Sequence, residues 1–156
     1  MIKKIFILGI SILFLFSCNN KHFYEEYTEI PNNIWSQNEV VKFSVDIEDT
    51  SSLYNIAVNI RHGYYYQNKN LWLYIKTTSP SGKIQLDTMN CLLAEADNKW
   101  KGKCLSDLCD LLVPFADSIY LKEKGTYTFE FQHGLRQKKV ASIVEIGLII
   151  DLLGQK

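Results

Sequence analysis

The stretch Val41-Lys42-Phe43-Ser44-Val45-Asp46-Ile47 decides the fold class, because an apolar residue falls at every second position with a polar one between. Successive side chains of a strand point to opposite faces, so this spacing turns Val41, Phe43, Val45 and Ile47 toward a core and Lys42, Ser44 and Asp46 toward water. Outward along the chain the pattern recurs. Tyr54, Ile56, Val58 and Ile60 alternate with Asn55 and Asn59; Tyr127, Phe129 and Phe131 alternate with Thr126, Thr128 and Glu130. The last such set is Val144, Ile146, Leu148, Ile150 and Leu152. Leu71 to Ile75 is apolar or aromatic on both faces and predicts a central strand, and Ile84 to Met89 follows the turn residues Pro80, Ser81 and Gly82. Six to eight short strands with no long helical period predict an all-β protein, a single antiparallel β-sandwich of immunoglobulin-like or jelly-roll-like type. The exception is Cys104 to Val113, where Leu105, Leu108, Cys109 and Leu112 recur at spacings of three and four; this predicts one short helical segment ended by Pro114. An aromatic content of 13%, with nine Tyr and eight Phe, suits pleated sheets more than a helical bundle.

The chain begins with a different chemistry. Lys3 and Lys4 precede twelve mostly apolar residues, Ile5 to Phe16. As a helix these reach about 18 Å, short of the roughly 30 Å hydrocarbon core, so the segment reads as a secretory signal rather than a membrane span. Leu15-Phe16-Ser17-Cys18 then supplies a branched apolar residue, a variable one, a small one and a cysteine, the pattern at which a bacterial lipoprotein is acylated and cleaved. The expected organisation is a signal over 1–17, a lipidated tether over 18–38 and a sandwich over 39–156. Several acyl chains on Cys18 hold a protein on a membrane far longer than one does. Asn19 stands where Asp would signal inner-membrane retention, and no acidic run follows the cysteine, so the expected address is the outer membrane, facing the periplasm.

The 156 residues carry 17 basic and 17 acidic side chains, and loss of Lys3 and Lys4 with the signal leaves the mature chain slightly acidic. Its densest basic cluster is only Arg136, Lys138 and Lys139, which argues against nucleic acid as a partner. With Cys18 assigned to lipid, Cys91, Cys104 and Cys109 remain. Three thiols allow at most one internal disulfide, and Cys104 with Cys109, or Cys91 with Cys104, are the plausible closures. Neither a metal nor another cofactor is expected, because the cysteine spacing lacks the paired ligands of a zinc site and His22, His62 and His133 stand apart. Asp46, Glu48 and Asp49 cluster without the loop spacing of a calcium site or the cleft of a glycosidase pair. No serine or cysteine sits in a nucleophile motif, so the chain reads as a non-enzyme. Candidate contact residues are Tyr64, Tyr65 and Tyr66, which follow Gly63, together with Trp72. Rings in loops give contact area at low entropic cost, for a protein or a glycan.

The mature sequence resembles the gliding motility lipoprotein GldH family. The resemblance is carried by Cys18; by Phe23-Tyr24-Glu25-Glu26-Tyr27 with Ile30-Pro31-Asn32 and Trp35; by Ile47-Glu48-Asp49-Thr50, Tyr54-Asn55 and Asn59-Ile60-Arg61; and by Ser79-Pro80-Ser81-Gly82-Lys83, Lys99-Trp100, Pro114-Phe115 and Gly125-Thr126-Tyr127-Thr128-Phe129-Glu130. It implies a non-enzymatic envelope lipoprotein serving gliding and an associated type IX secretion machinery, with other envelope lipoproteins as partners and no catalytic residues to carry over. The alternative is a membrane-anchored glycan-binding sandwich.

Overall fold

The structure is a computed structural model that describes residues 22–153. Eleven strands are present among these residues: β1 (Tyr24–Glu29), β2 (Ile34–Ser36), β3 (Val41–Ile47), β4 (Leu53–Gly63), β5 (Asn70–Thr78), β6 (Ile84–Leu92), β7 (Lys103–Leu105), β8 (Leu108–Tyr120), β9 (Gly125–His133), β10 (Lys139–Ala141) and β11 (Ile143–Leu153). They form a five-stranded sheet, β1-β11-β4-β8-β7, a four-stranded sheet, β3-β9-β5-β6, and a small pair, β10-β2, every neighbour antiparallel. The expected antiparallel sandwich is what forms. Its chain passes repeatedly from one sheet to the other, so each sheet is stitched from strands distant in sequence.

The core lies between the two inner faces. β3 presents Val41, Phe43, Val45 and Ile47, all buried, while Lys42, Ser44 and Asp46 stand exposed, as the alternation requires. Phe129 and Phe131 of β9 lie directly across from Phe43 and Val41, and Phe43 meets Phe131 edge-on at 6.0 Å. The opposing sheet answers with Tyr54, Ile56, Val58 and Ile60 of β4 and Ile146, Leu148 and Ile150 of β11. Each such side chain contributes roughly 1.5–3 kcal/mol on full burial, so these facing sets dominate the stabilisation.

Four expectations need correction. The segment Cys104 to Val113 is no helix but a hairpin, β7 to β8. Leu105 lies opposite Leu108 and Cys104 opposite Cys109, and Ser106 takes the positive φ of 56° that the two-residue turn needs. Spacings of three and four arose because the strand folds back on itself; Leu105 is 80% exposed, so there is no buried stripe. Pro114 does not end the element either. β7 covers β8 only at Leu108–Asp110, and a strand edge that is open beyond that point tolerates a missing N–H. The tether over 18–38 also proves shorter than expected: β1 pairs along β11 for six residues, and β2 places Trp35 fully inside the core. Finally, the register slips between Ile143 and Glu145, so Ile143 rather than Val144 points inward, beside a Ser142 of φ 64°.

The sandwich has two distinct poles. Tyr24 sits beside Ile150, and His22 Nδ1 lies 2.6 Å from Asp151 Oδ1, so the chain joins the body where β4 begins at Leu53. β4 then runs eleven residues to Gly63, a reach of roughly 33 Å at about 3.3 Å each. The first end is the N-terminal pole and the second the far pole.

Candidate functional site

The far pole gathers most of the aromatic side chains that the sequence singled out. Past Gly63 the chain turns on a Tyr66 N–H to Gly63 carbonyl bond of 3.0 Å, which throws Tyr64 and Tyr65 outward and brings Tyr66 back in. Tyr65 is 82% exposed and Tyr64 55%, whereas Tyr66 is buried at 4% and donates its hydroxyl to the Asn70 carbonyl at 2.9 Å. Burial pushes the Tyr66 phenol up to about 12. Tyr66 is therefore a support and not a contact residue, a correction that follows from the turn placing alternate rings on opposite sides.

Beneath the exposed tyrosines lies a bracing cluster. The Trp100 indole donates to the Tyr64 carbonyl at 3.1 Å, and its ring stands 4.6 Å from His62, 6.3 Å from Tyr66 and 6.4 Å from Tyr64. Such edge-on and tilted ring pairs each add about 0.5–1.5 kcal/mol beyond burial and hold the loop in one shape. The Tyr64 N–H also donates to the Asp107 carbonyl at 2.7 Å, which ties the loop to the tip of the β7–β8 hairpin. That hairpin is closed by a disulfide between Cys104 and Cys109 and carries Leu105 and Leu108 at the surface. Tyr64, Tyr65, Leu105 and Leu108 thus form an apolar patch on two braced loops. Sequence reasoning missed Leu105 and Trp100; mirrored cysteines about Ser106-Asp107 were the signal for the hairpin tip.

Trp72 occupies a different surface. It lies on β5, whose other face supplies the buried Leu71, Leu73 and Ile75, so Trp72 and Tyr74 point together from the outer face of the four-stranded sheet, 39% and 49% exposed. Gly134 makes this platform flat, because a Cβ there would stand 3.0 Å from the Tyr74 ring. A shallow depression of about 390 Å³ adjoins it, lined by Val40, Tyr74, Lys76, Leu86, Thr88 and Gln132. The structure therefore keeps Trp72 apart from the tyrosine loop.

The remaining candidates are structural in their surroundings. Asp49 accepts from the Ser51 backbone at 2.8 Å and from the Ser51 and Ser52 hydroxyls, bonds that hold its carboxyl down at about 2 and fix the β3–β4 turn. His62 bonds only the Gly63 carbonyl, at 3.1 Å, and neither nitrogen of His133 has a hydrogen-bond partner; its ring stands 5.6 Å from Trp35. Among the described residues no three His, Cys, Asp or Glu side chains converge as metal ligands would. Cys91 is buried against the core. A second opening, about 350 Å³, lies between the sheets toward the N-terminal pole with Phe115, Ile119 and Phe129 in its walls. The signal over 1–17 and Cys18 lie outside the described residues.

What these features define is an antiparallel sandwich that displays a braced aromatic patch at one pole and joins its N-terminal segment at the other. Residues 22–150 match the family described as GldH lipoprotein, and the chain belongs to that family. It is 28% identical over 150 residues to the gliding motility lipoprotein GldH homolog of Christiangramia forsetii, spanning 96% of this chain and 91% of that one. Against the gliding motility lipoprotein GldH of Flavobacterium johnsoniae it is again 28% identical, over 97% of this chain and 94% of the relative. Among solved structures, one of the infectious bursal disease virus Gx strain overlaps 86% of this chain and 33% of its own, with a TM-score of 0.33 and 11% identity, too distant to inform function.

Proposed function

We propose that this chain is a lipid-anchored assembly module of the cell envelope, held on the outer membrane through Cys18, facing the periplasm, and presenting its far pole to other envelope proteins of the gliding and type IX secretion machinery. One observation carries the reading: the chain joins the body at one pole, while the exposed Tyr64, Tyr65 and Leu105 sit on braced loops at the other. A tether at one end of a rigid rod some 33 Å long leaves the opposite end free to dock. Exposed apolar side chains on pre-ordered loops bind with little ordering cost, and aromatic residues are the usual anchors of such contacts. Function in this reading is positional and rests on no reactive group.

The test is deletion of the gene in its host, with complementation by wild type, by Cys18→Ala and by the double variant Tyr65→Ser/Leu105→Ser. Wild type restores spreading and secretion; Cys18→Ala folds but restores neither. The double variant stays membrane-bound and loses the envelope proteins that crosslinking recovers with wild type. Full restoration by Cys18→Ala would refute the anchored module.

A second reading, a glycan-binding module, is favoured by Trp72 and Tyr74 standing side by side on an open sheet face above Gly134. Planar rings beside Asn90, Thr88 and Gln132 suit sugar stacking and hydrogen bonding. Retention on polysaccharide affinity gels that Trp72→Ala abolishes would establish it; migration unchanged across the gels would discard it.

A further inference from the structure

The N-terminal pole is built unlike the rest of the surface. Over most of its length the five-stranded sheet turns charge to solvent on its outer face: Arg61 holds Asp110 at 2.8 Å and Glu145 at 3.1 Å, and Tyr27 and Glu25 lie beside them. At the last two rows this ends. Leu152, Tyr54 and Ile119 stand abreast, and Leu153, Leu53 and Tyr120 form the next row, so both faces of the sheet become apolar where its strands stop. Phe23 packs on Tyr54 with ring centres 5.4 Å apart. Tyr120 is 54% exposed, Leu152 45% and Phe23 42%, and no element of the described chain covers them.

Chain length says what does. Five peptide steps separate Cys18 from Phe23, at most roughly 18 Å when fully extended. A lipid on Cys18 therefore keeps this pole within that distance of the bilayer. We propose that the N-terminal pole, through Phe23, Tyr120 and Leu152, beds into the interfacial layer of the membrane and stands the sandwich upright on it. The inference rests on acylation of Cys18, as proposed above, and adds an orientation to it.

Tyrosine is a residue of membrane interfaces, where its ring meets acyl chains and its hydroxyl meets headgroups. The charges of the same pole are mixed in sign, with Lys83, Lys122 and Lys124 beside Glu48, Asp49, Asp117, Glu123 and Asp151, so no basic surface draws the pole to anionic headgroups and the attraction is apolar and insensitive to salt. Lying flat on the outer face of the five-stranded sheet is the competing posture. It would press the Arg61, Asp110 and Glu145 group against lipid, at the desolvation cost such charges carry.

The experiment uses the full lipidated chain in vesicles of phosphatidylethanolamine and phosphatidylglycerol containing a doxyl-labelled quencher lipid. A fluorophore is attached at Tyr120→Cys, at Leu152→Cys or at Tyr65→Cys. The introduced thiol is the reactive one, because Cys91 is buried and Cys104 and Cys109 are bonded to each other. Vesicle flotation and the acyl mass on Cys18 are recorded first. The expected result is at least twofold stronger quenching at 120 and 152 than at 65, unchanged between 0.1 and 0.5 M salt. Flotation with equal quenching at all three sites overturns the orientation while leaving the anchor standing. Failure to float, with no acyl mass, overturns both.

Discussion

Two buried histidines that form no salt bridge make this protein acid-labile in a definable pH window. His62 and His133 are both fully inside, and burial drives both imidazoles below their usual pKa; the Gly63 carbonyl and the Asp110 charge offset only part of that at His62, and the nearby Trp35 backbone, without a formed hydrogen bond, only part at His133. The sign follows from linkage. In the unfolded chain each ring takes up a proton near pH 6.5, while in the folded chain it stays neutral to lower pH, so the unfolded state binds more protons in between and stability falls as pH falls. At pH 5.5, one unit below the unfolded pKa, each histidine costs up to about 1.4 kcal/mol, and the pair up to about 2.8 kcal/mol. Against a typical total of 5–15 kcal/mol this is a large share. Urea unfolding followed by tryptophan fluorescence reads it directly, since Trp35 is buried. With a slope of about 1–3 kcal/mol/M, the midpoint should fall by up to about 1–3 M between pH 7.5 and 5.5. Asp49 and Glu123, whose carboxyls are held low by their serine partners, release their contribution only at more acid pH and do not confuse the window. The decisive comparison is the double variant His62→Phe/His133→Phe, judged by its own pH slope so that any change in packing drops out. Its midpoint should be nearly flat over that range; a slope equal to wild type would refute the assignment.

Gly147→Ala would place a Cβ 2.4 Å from the Tyr27 ring, so this ring must lift and β1 loosen from β11; a loss of about 1–2 kcal/mol and faster hydrogen exchange in β1 are expected. Removal of the disulfide by Cys104→Ser/Cys109→Ser opens a loop with a sequence separation of five, for a loss of about 2 kcal/mol in chemical denaturation, with local protease sensitivity at the hairpin tip. In native, non-reduced protein the Cys91 thiol, pushed up to about 12 by burial, should not react with a disulfide reagent at pH 8, and it should become titratable on adding denaturant; ready reaction in the native state would contradict its placement in the core. Phe43→Ala removes a ring packed against Phe131 and should cost about 3–5 kcal/mol by the same unfolding assay.

How much of this was legible beforehand depends on how one-sided each strand is. Val41–Ile47 has one face in the core and one in water, and its period-two pattern maps onto burial residue by residue. β1 and β6 have no such contrast, since most of their side chains are exposed on both faces, so only pairing in space shows that Tyr24–Glu29 belongs to the body. The β7–β8 hairpin imitated a helix because a two-residue turn sets Leu105 against Leu108 at the spacing of one helical turn. Trp72 is a contact candidate by residue type, yet Leu71 to Ile75 reads as a strand apolar on both faces, because hydrophobicity alone does not say which face of a sheet is left open. The tyrosine loop was found by composition, but the inward return of Tyr66 and its brace on Trp100 depend on contacts between residues 34 apart, which no local pattern records.

The six-residue pairing of β1 with β11 also fixes how the molecule bears load. If lipid at Cys18 holds one end and a partner grips the far pole, tension enters through Tyr24 along the strand axis and leaves some 30 Å away along β4 and β11, parallel to the same axis. Hydrogen bonds loaded in this way are sheared together rather than peeled one after another, so rupture requires many to fail at once. Under the proposed anchor, an edge strand directly behind Cys18 would act as a mechanical clamp, and a protein so clamped would pass force between a partner and the membrane without its own sheets coming apart.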